Sequence, residues 1–241
     1  MNYKIVDIKL EKPELLKGEA AFPNIDYTKE IPLDLKSSTL QAAYTTIVNK
    51  LGKAFVDDLE WRDSKIDNWH IETLEMLSAS IHELIHTYRK SPSPELLKKI
   101  FVRIHLWGGN AGRGVFVRNG GFEVNFNSEL YLRSIDVCEK GNYLESLRIM
   151  NTLKYVNTAF STKHIHFWSN GKAPIYDSII AAVVFGLSDV RESQYSKYLS
   201  VINSLAEDKN TTPFAVERNL FNWASSSEGK YWQNVRLNKQ T

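Results

Sequence analysis

The chain has 241 residues, 43% hydrophobic and 24% charged, the balance of a globular protein with a proper core rather than of a disordered or fibrous one. Its one cysteine, Cys138, excludes a disulfide framework and points to the cytoplasm, and no apolar run after Met1-Asn2-Tyr3-Lys4 reads as a signal peptide or membrane span. A net charge of +2 names no partner, but over residues 93–175 eleven Lys/Arg stand against six Asp/Glu, a concentration compatible with a phosphate-facing surface.

Residues 1–37 read as an extended or irregular arm, punctuated by Pro13, Pro23 and Pro32. A helical body follows over 38–241, the whole forming one unit. Leu40, Tyr44, Ile47, Val48 and Leu51 recur at three- and four-residue spacing and predict a first helix. Leu74, Leu77, Ile81, Leu84 and Ile85 place a second over about 72–89. Ser93-Pro94 supplies an N-cap and a proline at the first helical position to a third, which Gly108-Gly109 ends. The glycine-rich stretch 108–127 predicts a loop and then a small hairpin, with Val115-Phe116-Val117 and Phe122-Glu123-Val124 flanking Asn119-Gly120-Gly121. Further helices are expected near 129–139, 143–156, 162–168, 178–186, 194–207 and 213–225. No internal repeat is present. The expected fold is mainly α with a small β element.

Two motifs compete for the chemistry. The first, His82-Glu83-Leu84-Ile85-His86, has the form of a zinc-binding helix, since histidines four apart share a face and the glutamate can activate a water. A catalytic zinc needs a third protein ligand, and the extended form of the motif fails because its glycine would fall at Arg89 and its third histidine at Pro92. These histidines therefore read first as a polar helix side. A zinc metallohydrolase stands as an alternative, and the leading reading calls for no metal and no cofactor.

The second is the segment 156–180, VNTAFSTKHIHFWSNGKAPIYDSII. A helix is expected to end near Val156, a short hairpin to span 157–161, and a second helix to begin at Thr162-Lys163. After Asn170-Gly171, Pro174-Ile175-Tyr176-Asp177 leads into another apolar helix. His164 and His166 are expected to pack or bond locally.

In this order and spacing the chain resembles the HhH-GPD superfamily of helix-hairpin-helix DNA glycosylases, and most closely its 8-oxoguanine DNA glycosylase-like branch. Thr162-Lys163 opens the second hairpin helix, and Pro174 and Asp177 follow at the branch's distance. Trp107-Gly108-Gly109 and Gly112-Arg113 are also similar to that branch, and the likeness covers about 106–185. It implies a helix-hairpin-helix over about 143–168, Lys163 and Asp177 as the catalytic pair, and double-stranded DNA with a modified base as the partner of a monomer that engages no membrane. Most members carry Gly-x-Gly in the hairpin, where backbone N–H groups approach a phosphate. This chain has Ala159-Phe160-Ser161 there, so Ala159, Ser161, Thr162 and Arg113 are the expected DNA-backbone contacts. The base is implied to be 8-oxoguanine or, as in antiphage bacterial relatives, glucosylated hydroxymethylcytosine. A non-catalytic DNA-binding relative is the other alternative.

The residue types suit that chemistry. Breaking the C1′–N bond passes through an oxocarbenium-like state that the Asp177 carboxylate would stabilise. A neutral Lys163 amine would attack C1′ and form a Schiff base, and burial or a helix N-terminus favours its neutral form. The flipped base would stack on aromatic faces, for which Phe160, Trp168, Tyr176 and Trp107 are the candidates.

Overall fold

The fold follows from where apolar side chains recur at helical spacing and where capping residues interrupt them. The computed structural model describes residues 20–29, 62–63, 68–69, 74–109 and 114–238. Among these are eleven helices and one two-stranded ribbon. The helix expected around Leu40–Leu51 and the candidate contact Arg113 lie outside the described residues. The chain divides into two compact units, residues 32–170 and residues 1–31 with 171–241.

In the first unit, β1 (Arg62–Asp63) and β2 (Asn68–Trp69) pair antiparallel, with Arg62 opposite Trp69. Helix α1 (Leu74–Lys90) packs on α2 (Pro94–Trp107). As its sequence predicts, α2 starts at a Ser93 cap, whose hydroxyl accepts from Leu96 N at 3.1 Å, and it stops at Gly108.

The predicted hairpin in the glycine-rich stretch is not there. The chain forms two single-turn helices, α3 (Gly114–Val117) and α4 (Phe122–Asn125). Asn119, Gly120 and Gly121 all take positive φ, at 43°, 91° and 80°, which coils the chain rather than continuing a ladder. Asn125 Nδ2 donates to the carbonyls of Val115 and Arg118 at 3.0 and 2.6 Å, closing the end of α3. Phe116 then stacks on Phe122 at 5.4 Å, inside the core. The small β element is β1–β2 instead.

Helix α5 (Ser128–Glu139) lies against α6 (Tyr143–Met150). Each of Ser134 and Ser146 donates its hydroxyl to the other's carbonyl, at 3.1 and 2.9 Å, a contact that only small side chains permit. Helix α7 (Thr158–Trp168) runs through the core with every residue from Phe160 onward buried. Two expected boundaries shift here. Helix α6 stops at Met150 rather than near Val156, and α7 begins at Thr158 rather than Thr162. The cause is capping: the Asn157 side chain accepts from Phe160 N at 3.1 Å, and Asn151 Nδ2 donates to Thr158 Oγ1 at 3.3 Å.

The second unit is built on α8 (Ser178–Phe185), an apolar helix ended by Gly186 at φ 65°. Around it stand α9 (Glu192–Asp208), α10 (Pro213–Ser225) and α11 (Ser227–Asn238). The carbonyl of Val184 accepts from Ala21 N at 3.0 Å and from Arg236 Nη2 at 2.9 Å, which ties the described part of the N-terminal arm and the last helix to α8. Helix α11 lies beyond the last helix that the sequence predicts, and Gly229 near its start lowers helix propensity. A Cβ there would fall 2.2 Å from the Trp223 carbonyl oxygen, so glycine is what lets α10 and α11 meet closely.

Candidate active site

Lys163 sits on the buried face of α7, 8% exposed. Its Nζ stands 4.9 Å from the centroid of the Phe160 ring. Since α7 begins at Thr158, Lys163 lies beyond the helix's first turn, where the dipole's effect on charge has fallen off. Its surroundings are therefore set by burial rather than by the helix end.

Beneath Lys163 lies a buried polar chain that links three helices. Phe101 and Phe160 both stack on His105, at 4.3 and 5.0 Å. His105 Nδ1 is 3.1 Å from the Phe101 carbonyl and 3.1 Å from His164 Nε2. A carbonyl only accepts, so Nδ1 carries the proton of His105 and is shared with His164 Nε2. His164 Nδ1 then donates to the Tyr131 hydroxyl oxygen at 2.9 Å, which also accepts from Trp168 Nε1 at 2.8 Å. At the end of the chain His105 Nε2 is a buried nitrogen with no hydrogen-bond partner among the described residues. Burial drops the His105 pKa to about 3, with the Lys163 charge pushing the same way against the Phe101 carbonyl. His164 is held well below the usual histidine range, first by burial and then by His105 and Lys163. Both imidazoles are neutral at ordinary pH.

Asp177, half-buried, caps α8. Its Oδ1 accepts from Ile179 N at 3.0 Å and Ile180 N at 3.1 Å, and Oδ2 takes neither bond. The preceding Pro174 loop is anchored by the Tyr195 hydroxyl, which donates to the Pro174 carbonyl at 3.1 Å. Lys163 and Asp177 belong to different units, and each is placed within its own.

The shifted start of α7 revises the hairpin contacts. Ser161 and Thr162 are fully buried inside the helix rather than displayed on the hairpin. Ser161 donates to Asn151 Oδ1 at 2.7 Å and Thr162 to the Ala159 carbonyl at 3.0 Å. Ala159 is half-exposed in the first turn. The hairpin itself is residues 151–157, and the backbone position with positive φ is Tyr155, at 62°. Tyr155 accepts a hydrogen bond from Asn119 and lies under Arg118, 5.5 Å from the ring centroid.

Two of the aromatic candidates are packed as core. Trp168 is 2% exposed, covered by Tyr88 and Tyr131, with its carbonyl accepting from Arg89. Tyr176 is fully buried against Tyr195 and Tyr198. A base cannot stack on a ring whose faces are covered, so both leave the pocket set. Phe160 is buried under Lys163. Trp107 keeps partial exposure at the end of α2, where its Nε1 donates to Ser78 Oγ at 2.8 Å.

For the competing motif, His82 is half-buried with its ring 5.3 Å from Phe167, and burial followed by the Arg89 charge lowers its pKa. Among the described residues no group of three or more His, Cys, Asp or Glu could hold a metal ion, so the ligand set of a catalytic zinc is not assembled there. No helix among them is long and apolar enough to cross a membrane.

Residues 79–221, well over half of the chain, match the model of a family described as "Putative 8-oxoguanine DNA glycosylase OGG-like protein". Comparisons with curated proteins and with solved structures return no match. The matched stretch runs from α1 to α10 and contains both Lys163 and Asp177. The chain belongs to this OGG-like DNA glycosylase family.

Proposed function

We propose that the protein is a DNA glycosylase that flips a modified base out of duplex DNA and removes it with Lys163 and Asp177 at the sugar C1′. The observation that carries this reading is a lysine buried on an aromatic face inside the stretch that matches a glycosylase family. Burial on an aromatic face strips water from the Lys163 side chain, and a desolvated, neutral amine is the form that attacks carbon. In the proposed reaction the Lys163 amine adds to C1′ as the base departs. Asp177 Oδ2 faces the developing positive charge while Oδ1 stays engaged with the α8 N–H groups.

The family description favours 8-oxoguanine as the base, and a glucosylated hydroxymethylcytosine, which would make the enzyme an antiviral one, is the competing substrate. Strand cleavage at the Schiff base would follow from the same lysine. Trp107 is the remaining aromatic candidate for the pocket, and Phe160, covered by His105 and Lys163, serves as the seat of the lysine instead. Ala159 and the hairpin at Tyr155 are the proposed backbone contacts, in a soluble, cytoplasmic monomer.

Borohydride trapping on duplexes carrying each base tests this. A covalent adduct with one of the two bases, lost in Lys163→Ala, is the expected result. Equal base release by wild type and Lys163→Ala would remove Lys163 from the chemistry.

A further inference from the structure

We infer that Gly108 and His105 are positioning residues for Lys163, holding its amine in place through the Phe160 ring; this rests on Lys163 as the proposed nucleophile. Gly108 caps α2 with φ −73° and ψ −4°, a conformation open to any residue. Its backbone gives no reason for glycine. Space does: a Cβ at 108 would lie 2.4 Å from Phe160 Cε1, 2.8 Å from Phe160 Cζ and 3.1 Å from Lys163 Cδ. The bare α2 terminus is thus the wall against which the phenyl ring and the lysine stem are seated.

The other side of the ring is fixed by His105. Phe160 stacks on it with an interplanar angle of 20°, and Phe101 stacks on it with an angle of 27°. His105 cannot rotate freely, because its Nδ1 proton is shared between the Phe101 carbonyl and His164. A column therefore runs Phe101, His105, Phe160, Lys163, with Gly108 beside its last two members. A methyl at 108 must push the phenyl edge, a rigid group, and the ring cannot retreat because His105 backs it. Since the ammonium or amine of Lys163 sits over that ring, displacement moves the nucleophile. Misplacement of a reacting group by about 1 Å costs on the order of 100-fold in rate while leaving the rest of the binding surface intact.

Gly108→Ala is the direct test, read in two independent ways. The first reading is chemical labelling of Lys163 by an amine-reactive reagent, followed by mass spectrometry, without DNA. Wild type is expected to label slowly, as a buried amine does, and Gly108→Ala several-fold faster, with exposed lysines such as Lys140 unchanged. The second is single-turnover base release against DNA affinity. The rate is expected to fall at least 10-fold with affinity unchanged, whereas a general loss of structure would weaken both. Adding Phe160→Leu removes the clashing ring edge, so the double variant is expected to react no more slowly than Phe160→Leu alone. Should Gly108→Ala fail to fold, His105→Phe and His105→Leu carry the test. The first keeps a ring in the column and is expected to label at the wild-type rate, and the second to label faster. Wild-type labelling of Lys163 in Gly108→Ala and in His105→Leu, or additive rate losses in the double variant, would overturn the inference. Labelling as expected together with undiminished base release in Lys163→Ala would instead uphold the positioning and remove the catalytic role.

Discussion

Asp177 carries two demands on one carboxylate, and substitution can separate them. As a cap it uses Oδ1 to satisfy the N–H groups of Ile179 and Ile180. Asparagine caps helices about as well as aspartate, so Asp177→Asn should cost no more than about 0.5 kcal/mol, whereas Asp177→Ala should cost about 1 kcal/mol. As the proposed stabiliser of a cationic sugar it needs its charge, which asparagine lacks. Base release should therefore fall on the order of 100-fold in Asp177→Asn, a variant that stays folded. Urea unfolding and base release on the same preparations check this. If activity tracks stability across the two variants, the carboxylate is a cap alone. The sequence made Asp177 legible for both roles, since an aspartate directly before an apolar run is the pattern of an N-cap. Lys163 was legible as a candidate but its surroundings were not. His105, Tyr131 and Gly108 lie on other elements, and no local spacing announces a stack assembled from three helices.

The hairpin is the element where local reading and structure diverge most. A run from Tyr143 to Val156 keeps helical periodicity, and only the side-chain caps of Asn151 and Asn157 break it. The position that bends the chain is Tyr155, a bulky residue at φ 62°. That conformation costs a non-glycine residue about 1–2 kcal/mol. Contacts with Asn119 and Arg118 offset it from the neighbouring α3–α4 turn. Removing the contacts while keeping the strain should be worse than removing both. Tyr155→Ala is thus expected to be less stable than Tyr155→Gly, by about 1 kcal/mol in urea unfolding. The reverse order would mean that the positive φ is not maintained in solution. The glycine-rich stretch misled for a related reason. Asn119-Gly120-Gly121 does mark a reversal, but its flanks are stacked phenylalanines inside a helical core, not strands with a second sheet to cover them.

At the scale of the whole molecule, apolar periodicity gave most of the helices, because each buries a stripe at three- and four-residue spacing. What periodicity could not give is the cost of the polar groups buried with them. His105 and His164 are both fully buried and held neutral in the folded protein, His105 at a pKa of about 3. In the unfolded chain each takes a proton near the ordinary histidine value of about 6.5. The unfolded state then binds more protons below that value, so the full stability present above about pH 6.5 is lost progressively as pH falls toward 3. The slope that a histidine held neutral contributes approaches about 1.4 kcal/mol per pH unit once the pH is well below its unfolded value. Half-buried His82, also lowered, acts in the same direction. Carboxylates add little above pH 5, so the window from 7 to 5 isolates the histidines. Urea midpoints at pH 7, 6 and 5 should therefore decline steeply in wild type. They should decline less steeply in His105→Phe, which keeps the ring stack but has no proton to gain. A flat wild-type profile across that window, or equal slopes in the two proteins, would mean that the pair takes up protons without unfolding. The buried chain from Trp168 to His105 would then not be the neutral network that its hydrogen bonds describe.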